Sequence, residues 1–322
     1  VPFTDERSLE EIAAERLGVS SDAVLEVQIV RKALDARRYH GAPLAFIYTL
    51  DVAVRGNEKK ILARMRQDRQ ITLAEEEKPL SFARFVPPLR SAPPPVVVGF
   101  GPAGMFAAWM LARAGHAPLV LERGYDVDAR HAAIKRFWQT GVLDLRSNVQ
   151  FGEGGAGTFS DGKLTNRSSD PRIADVIEAF IAAGAPEEIR YLHKPHIGTD
   201  RLRGVVRNIR HEIMRAGGEI RFRAAVTDIE IRANRVQAVI VNDNERLSAD
   251  TVLLGIGHSA RDTYHMLCER GVAMEPKTFA AGVRIEHPQA FIDQAQYGED
   301  ADNLLLPAAD YALTFQDRET NR

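Results

Sequence analysis

The sequence has little cysteine, little net charge and no long apolar run. Its single cysteine, Cys268, excludes an internal disulfide and a Cys-x-x-Cys redox pair within these 322 residues. A formal net charge of −2 gives no general attraction to nucleic acid or to an anionic membrane. No apolar run reaches the roughly 18 residues of a transmembrane helix, and the first residues lack the features of a signal peptide. We therefore expect a cytoplasmic protein that acts on a small molecule, with its oligomeric state left open.

The two ends of the chain also lack the usual marks of a complete protein. No initiator methionine is present, and the polar residues 319–322 include no glycine or proline that would end a helix or strand. We expect part of a longer protein, whose missing portion carries some of the active site. The composition, 45% hydrophobic and 27% charged, is that of a globular chain with room for two or three domains.

Residues 1–90 form one compositional unit. Ser8 and Glu11 have the spacing of a capping box, and Gly18 is placed to end the helix that follows. The elements predicted from periodicity are a helix over 9–17, strands over 25–30 and 45–54, and a helix over 58–65. This α-β-β-α order favours a small α+β domain, ferredoxin-like with an edge strand missing.

A basic segment lies between the two predicted strands of this unit. Its charged members are Arg31, Lys32, Arg37 and Arg38. A solvated loop and strand end is the favoured interpretation, and a patch that binds RNA, phosphate or a partner is the alternative.

A glycine turn follows the proline-rich linker at residues 91–95. The valines at 96–98 predict a short buried strand, and Gly99, Gly101 and Gly104 follow with G-x-G-x-x-G spacing. A helix is predicted directly afterwards, over residues 105–114. In such a turn, backbone N–H groups at a helix N-terminus approach a pyrophosphate without obstruction by a Cβ.

Two further strands complete the prediction of a bound dinucleotide. The strand predicted over 119–121 ends at Glu122, where a carboxylate can accept hydrogen bonds from a ribose diol. The apolar run at 251–255 predicts a parallel strand that would place Gly255 and Gly257 at the same crevice. A βαβ unit without a ligand is the alternative.

The glycine-rich segment at residues 150–163 predicts a loop that faces the ligand, and a surface loop is its alternative. The preceding stretch, 125–149, has a helical pattern with Phe137 and Trp138 buried. Further elements are predicted as helices over 171–183 and 202–216 and strands over 220–222, 226–231 and 236–241.

These segments together resemble the two-dinucleotide-fold flavoproteins of the glutathione-reductase superfamily. Within that superfamily the chain looks most like the uncharacterised bacterial FAD-dependent dehydrogenases with a small N-terminal domain. The motifs that carry the resemblance are residues 35–37, 97–104, 151–164, 196–200, 257–262 and 282–288.

The resemblance implies an α/β fold with a Rossmann-like FAD/NAD(P)-binding domain. That domain would comprise residues 96–165 and 202–275, and an incomplete, mixed substrate-side region would comprise 166–201 and 276–322. The implied FAD ligands are Gly99, Gly101, Pro102, Ala103 and Gly104 at the pyrophosphate, Glu122 and Arg123 at the ribose, Gly154, Gly155 and Ala156 as a second glycine motif, Val226 at the adenine, and Gly257. Ile256 departs from the family, which more often has threonine there.

The implied activity is that of an FAD-dependent oxidoreductase, a dehydrogenase passing a hydride or an electron pair through noncovalently bound FAD. The substrate is open. No second complete G-x-G-x-x-G marks a nicotinamide domain, so NAD(P)H would bind transiently as a reductant. Two alternatives remain: an NAD(P)-dependent dehydrogenase on the same fold, and a flavin-binding regulatory protein whose N-terminal domain contacts RNA or a partner.

The sequence assigns no catalytic residue, because a flavin carries its own electron chemistry. Lys163 could place a positive charge near the flavin, or be an exposed lysine. His193 and His196 could move a proton, position a substrate or only shape a loop. The remaining candidates, for contacts to FAD or to the following helix, are His258, Ser259 and Arg261. No cluster has the spacing of zinc ligands, so no metal site is expected.

Overall fold

The computed structural model describes residues 1–2, 5–37, 43–74, 93–160, 162–165, 168, 170–278, 282–283 and 285–311. The chain divides into a first unit, Val1–Glu75 with Lys277–Arg322, and a second unit, Glu76–Pro276. The finer division drawn from the sequence stays a prediction, and residues 91 and 92 of the predicted linker lie outside the described residues.

The N-terminal part of the first unit has the predicted α-β-β-α order. Its elements are α1 (Leu9–Leu17), β1 (Val24–Asp35), β2 (Ala45–Val54) and α2 (Glu58–Arg64). The capping box is present: Ser8 Oγ accepts from the Glu11 N–H, and the Glu11 carboxylate accepts from the Ser8 N–H. Gly18 ends α1 with a φ of 62°. The two strands pair antiparallel, and the ferredoxin-like topology stays a prediction.

Strand β1 extends into the basic segment as far as Asp35, beyond its predicted end at residue 30. Lys32 pairs with Tyr48 across the hairpin, and its Nζ lies 4.3 Å from the Phe46 ring centroid. Arg37 donates two hydrogen bonds of 2.8 Å to the Asp35 carboxylate. Arg38 lies outside the described residues. The segment was predicted as a solvated loop and strand end; cross-strand pairing and the cation–π contact place Arg31 and Lys32 within the strand.

The C-terminal part of the first unit contributes helix α8 (Gln289–Tyr297). Its buried Tyr297 packs with Leu44 and Ala309, and the Tyr297 hydroxyl donates a 2.9 Å hydrogen bond to the Pro307 carbonyl. This small core joins two parts of the chain that are distant in sequence.

The second unit is a mixed α/β structure. Its elements are β3 (Val96–Val98), α3 (Pro102–Arg113), β4 (Leu119–Leu121), α4 (Val127–Thr140), α5 (Arg172–Ala182), α6 (Thr199–Arg215), β5 (Glu219–Arg221), β6 (Val226–Arg232), β7 (Arg235–Val241), β8 (Glu245–Ser248), β9 (Val252–Leu254) and α7 (Arg261–Glu269). A parallel sheet has the order β5-β4-β3-β9, and β6, β7 and β8 form an antiparallel meander. The predicted placement of the 251–255 strand beside the first strand is confirmed. Strand β8 was not predicted.

Both faces of the parallel sheet are covered, which explains its continuous apolar strands. Val97 and Val120 pack into a cluster with α3, α5 and α6. Val96 and Val98, which point to the other face, pack with residues of the meander such as Val239.

Helix α4 ends earlier than predicted, and Trp138 is 68% exposed rather than buried. Gly141 caps the helix with a φ of 73°. The stretch beyond it is held by side chains that bond to nearby backbone: Asp144 accepts from the Arg146 and Ser147 N–H groups. Such bonds compete with helix formation, which the apolar period alone does not reveal. Among the described residues, no helix is both long and apolar enough to cross a membrane.

Candidate functional site

The glycine turn between β3 and α3 contains two glycines that packing requires and one that it does not. A Cβ on Gly99 would lie 2.5 Å from the Gly255 carbonyl oxygen, and a Cβ on Gly104 would lie 1.9 Å from the Gly99 carbonyl oxygen. Gly101 has a φ of −77°, and a Cβ there would lie 3.6 Å from the Gly155 Cα and 4.0 Å from the Gly155 N, which are ordinary contact distances. Packing therefore requires Gly99 and Gly104, whereas the protein itself leaves room for a side chain at Gly101.

A cleft of about 490 Å³ opens at the carboxyl ends of β3, β4 and β9. The last residues of these strands, Val98, Leu121 and Leu254, all line it. This is the edge at which parallel α/β sheets bind ligands, and the volume lies within the roughly 300–1,000 Å³ of ligand pockets.

The cleft brings together ten of the twelve predicted FAD residues. They are Gly99, Gly101, Pro102, Ala103, Glu122, Arg123, Gly155, Ala156, Val226 and Gly257. Gly104 lies behind the turn, where its packing fixes α3 against β3. Gly154 also lies behind the wall, and its N–H donates a 2.8 Å hydrogen bond to the Phe100 carbonyl.

Glu122 lies at the end of β4 and is 4% exposed. Its carboxylate accepts a 2.7 Å hydrogen bond from the Phe100 N–H and a 2.8 Å hydrogen bond from the Gly124 N–H. These bonds tie the glycine turn to the neighbouring strand, a role that the sequence did not indicate. Each carboxylate oxygen has a second lone pair, so the ribose contact stays a prediction.

Arg123 lies at the rim of the cleft and bridges two segments of the second unit. Its guanidinium donates to both Asp262 carboxylate oxygens, at 3.2 and 2.5 Å. The same guanidinium lies 4.6 Å from the Phe151 ring centroid. Bidentate pairing and the aromatic face fix its orientation.

The segment 148–155, which includes the start of the glycine-rich segment, is held by hydrogen bonds from Arg130, a residue that the sequence analysis missed. Arg130 is fully buried, and burial lowers the pKa of its guanidinium to about 10. Along α4 it occupies the buried stripe between Val127 and Ile134. A charged residue at an apolar position of this stripe was the signal that could have found it, because a buried charge needs partners.

Glu153 is a second buried charge beneath the same segment. One carboxylate oxygen accepts a 2.7 Å hydrogen bond from the Val127 N–H. The other lies 3.3 Å from Arg210 Nε, an ion-pair distance without the alignment of a hydrogen bond. Burial raises the pKa of Glu153 to about 7, an effect that Arg210 opposes.

Of the six further residues that the sequence offered for catalysis or FAD contact, some line the cleft and others do not. His258 and Ser259 line the cleft, and Ser259 Oγ lies 3.3 Å from Gln150 Oε1. Lys163 and His196 face each other in an isolated antiparallel bridge. Together with His193 and Arg261, those two are absent from the cleft lining. In the part of the chain that the structure describes, no three His, Cys, Asp or Glu side chains form a group suited to a metal ion.

Comparison with known families and sequences gives one family match and one long relative. The family described as "FAD-dependent protein, C-terminal domain-like" matches residues 278–322. An "uncharacterized protein" of Clostridium beijerinckii is 44% identical over 314 residues, which cover 98% of this chain and 58% of the relative. The chain therefore spans somewhat more than half the length of this relative.

Solved structures resemble the chain only in part. THI4 of Thermovibrio ammonificans has 16% identity and a TM-score of 0.36, over 56% of this chain and 64% of its own. Glycine oxidase of Bacillus cereus has 15% identity and a TM-score of 0.30, over 56% and 58%. The GidA-related protein of Thermus thermophilus has 15% identity and a TM-score of 0.31, over 52% and 54%.

Proposed function

We propose that this chain binds FAD noncovalently in the cleft and is the FAD-binding part of an oxidoreductase. The observation that carries the proposal is the convergence of Gly101, Glu122 and Gly155 on one cleft at the carboxyl edge of a parallel sheet. The match of residues 278–322 to a family of FAD-dependent proteins supports the same cofactor. FAD, when bound, supplies hydride and electron-pair transfer.

The residues of the cleft fit the parts of this cofactor. Pro102, the first residue of α3, has no N–H, so the first-turn donors without a helical acceptor that would meet the pyrophosphate are the N–H groups of Ala103 and Gly104. Glu122 has acceptor capacity for a ribose hydroxyl, and Val226 would meet the adenine through its backbone. Gly155 and Ala156 form the wall beside the glycine turn. The chain's own contribution is to orient FAD and exclude water from part of it.

We further propose a small-molecule substrate, a cytoplasmic location and transient use of NAD(P)H as the reductant. Cys268 is the lone cysteine, which favours a reducing compartment, and the small net charge gives no general attraction to nucleic acid or to a membrane. A dehydrogenase that holds NAD(P) in this cleft is the competing function, and the Gly154–Gly155 motif favours FAD over it. A regulatory role for the N-terminal domain, by contact with RNA or a partner, would rest on Arg31, Lys32, Arg37 and Arg38.

Purified full-length chain, incubated with excess FAD and desalted, should retain visible flavin absorbance and release FAD on denaturation. NAD⁺ and NADP⁺ serve as competitors, and each should displace FAD weakly. A folded protein that neither retains FAD nor quenches its fluorescence would contradict the proposal. Anaerobic mixing with NADH or NADPH tests the oxidoreductase part separately, since reduction bleaches the flavin absorbance.

A further inference from the structure

The Arg130 guanidinium donates hydrogen bonds to five backbone carbonyls of the segment 148–155, behind the cleft wall. Nε donates to the Asn148 carbonyl at 2.9 Å and Nη2 to the Val149 carbonyl at 2.9 Å. Nη1 donates to the carbonyls of Gly152, Glu153 and Gly155, at 3.3, 2.6 and 2.8 Å. One buried side chain thus sets the direction of five peptide groups.

The contact with Gly155 has a consequence on the other side of the wall. In a trans peptide the C=O and the following N–H point in opposite directions. Because the Gly155 carbonyl is directed at Arg130, the Ala156 N–H is directed away from it. Gly155 and Ala156 both line the cleft, whereas Arg130 does not. Arg130 therefore fixes the direction of a donor at the cleft wall without touching the cleft.

The wall at this point lies beside the glycine turn. A Cβ on Gly155 would lie 3.0 Å from the Gly101 Cα and 3.1 Å from the Pro102 Cδ. The donor thus stands next to the N-terminus of α3, where anions bind favourably. A cation on the carbonyl side also polarises the peptide and strengthens its N–H as a donor.

We propose that Arg130 is a positioning residue for dinucleotide binding, which holds the Ala156 N–H toward the phosphates of the ligand. The inference rests on the proposed FAD function. It adds to that function a residue outside the cleft that determines affinity for the phosphate-bearing part of the cofactor.

The test uses Arg130→Met and Arg130→Lys in the full chain, with FAD affinity measured by flavin fluorescence. We expect Kd to rise about 100-fold for methionine and about tenfold for lysine, since lysine keeps the charge but not the planar set of donors. Arg207→Met is the matched control, because Arg207 pairs with Asp128 of the same helix α4. Its Kd should stay within about twofold of the wild-type value.

A comparison of ADP with adenosine as competitors of FAD distinguishes the positioning role of Arg130 from a merely structural one. If Arg130 positions the donor, its substitution should weaken the binding of ADP, which carries phosphates, and leave the binding of adenosine unchanged. Gly152→Ala provides a second perturbation, because a Cβ there would lie 2.4 Å from the Arg130 Cδ and displace the side chain. This variant should show the same selective loss of affinity for ADP.

Equal losses for ADP and adenosine, unchanged FAD affinity in folded Arg130 variants, or failure of all three variants to fold would overturn the proposal. Failure of the wild-type chain to bind FAD would instead contradict the proposed function. Restoration of FAD affinity to Arg130→Gly by added guanidinium, and not by sodium, would support the positioning role.

Discussion

Replacement of Gly101 by alanine tests the proposed pyrophosphate site with little disturbance of the fold. The backbone at Gly101 is extended, with φ −77° and ψ −175°, which an alanine adopts without strain. The added Cβ would meet the Gly155 Cα at 3.6 Å, an ordinary van der Waals distance. We therefore expect the free energy of unfolding of the ligand-free protein to change by about 0.5 kcal/mol or less.

The effect on ligand binding should be much larger. A hydrogen bond from backbone to phosphate requires an N···O approach of about 2.9 Å, and a methyl group at the turn obstructs it. Loss of two such bonds to a charged oxygen corresponds to about 3 kcal/mol, or a rise of about 100-fold in the Kd for FAD. Flavin fluorescence titration measures Kd, and urea unfolding of the ligand-free protein measures stability.

Gly204→Ala is the matched control, because Gly204 lies in α6 and an added Cβ would have no atom within 4 Å apart from its chain neighbours and the backbone of its own helix. It should leave the Kd for FAD unchanged. If Gly101→Ala folds normally and binds FAD as tightly as the wild type, the turn does not hold the pyrophosphate. That result would refute the reasoning from the glycine spacing.

Three further substitutions test the packing and the charges around the cleft. Gly104→Ala should lower the free energy of unfolding by about 3 kcal/mol or more, because its Cβ would overlap the Gly99 carbonyl oxygen; a loss below about 1 kcal/mol in urea unfolding would contradict this. Glu122→Gln should cost about 2 kcal/mol, since an amide N–H₂ would face one of the two backbone donors, and the same unfolding measurement checks it. Burial raises the pKa of Glu153 from 4.5 to about 7, so the folded state binds this proton more tightly than the unfolded state. The free energy of unfolding should therefore fall by up to about 3 kcal/mol as pH rises through that window, whereas Glu153→Gln should lack the fall. Parallel pH dependence in the two proteins would rule out this assignment.

The sequence predicted the sheet well because its strands carry a strong local signal. Strands β3 and β4 have the predicted bounds, since each is a run of three buried apolar residues bordered by proline, glycine or charge. The pairing of β9 with β3 followed from the same apolar pattern together with the topology of parallel sheets. Strand β8 was missed because Glu245–Ser248 is a charged segment at the edge of the meander, with no apolar alternation.

The candidate site was predictable only where its contacts are local. The spacing of Gly99, Gly101 and Gly104 indicated the turn, and ten of the predicted residues do line one cleft. The contacts of Arg130 and Glu153 depend on how α4, α6 and the segment 148–155 pack together. Those contacts join residues that are 18–57 positions apart, so no periodicity or spacing reports them.

The two buried charges nearest the cleft share a physical task. Glycine-rich segments form no ladder of hydrogen bonds, so their buried N–H and C=O groups need other partners. The Glu122 carboxylate accepts from the Phe100 N–H of the turn, and the Arg130 guanidinium donates to the Gly155 carbonyl of the adjoining wall. On the Glu122 side, the carbonyls of Phe100 and Gly124 in turn accept hydrogen bonds from the Gly154 and Arg223 N–H groups, at 2.8 and 2.9 Å. On the Arg130 side, the Ala156 N–H points away from the guanidinium at the cleft wall, and an N–H donor is the polarity that a phosphate requires.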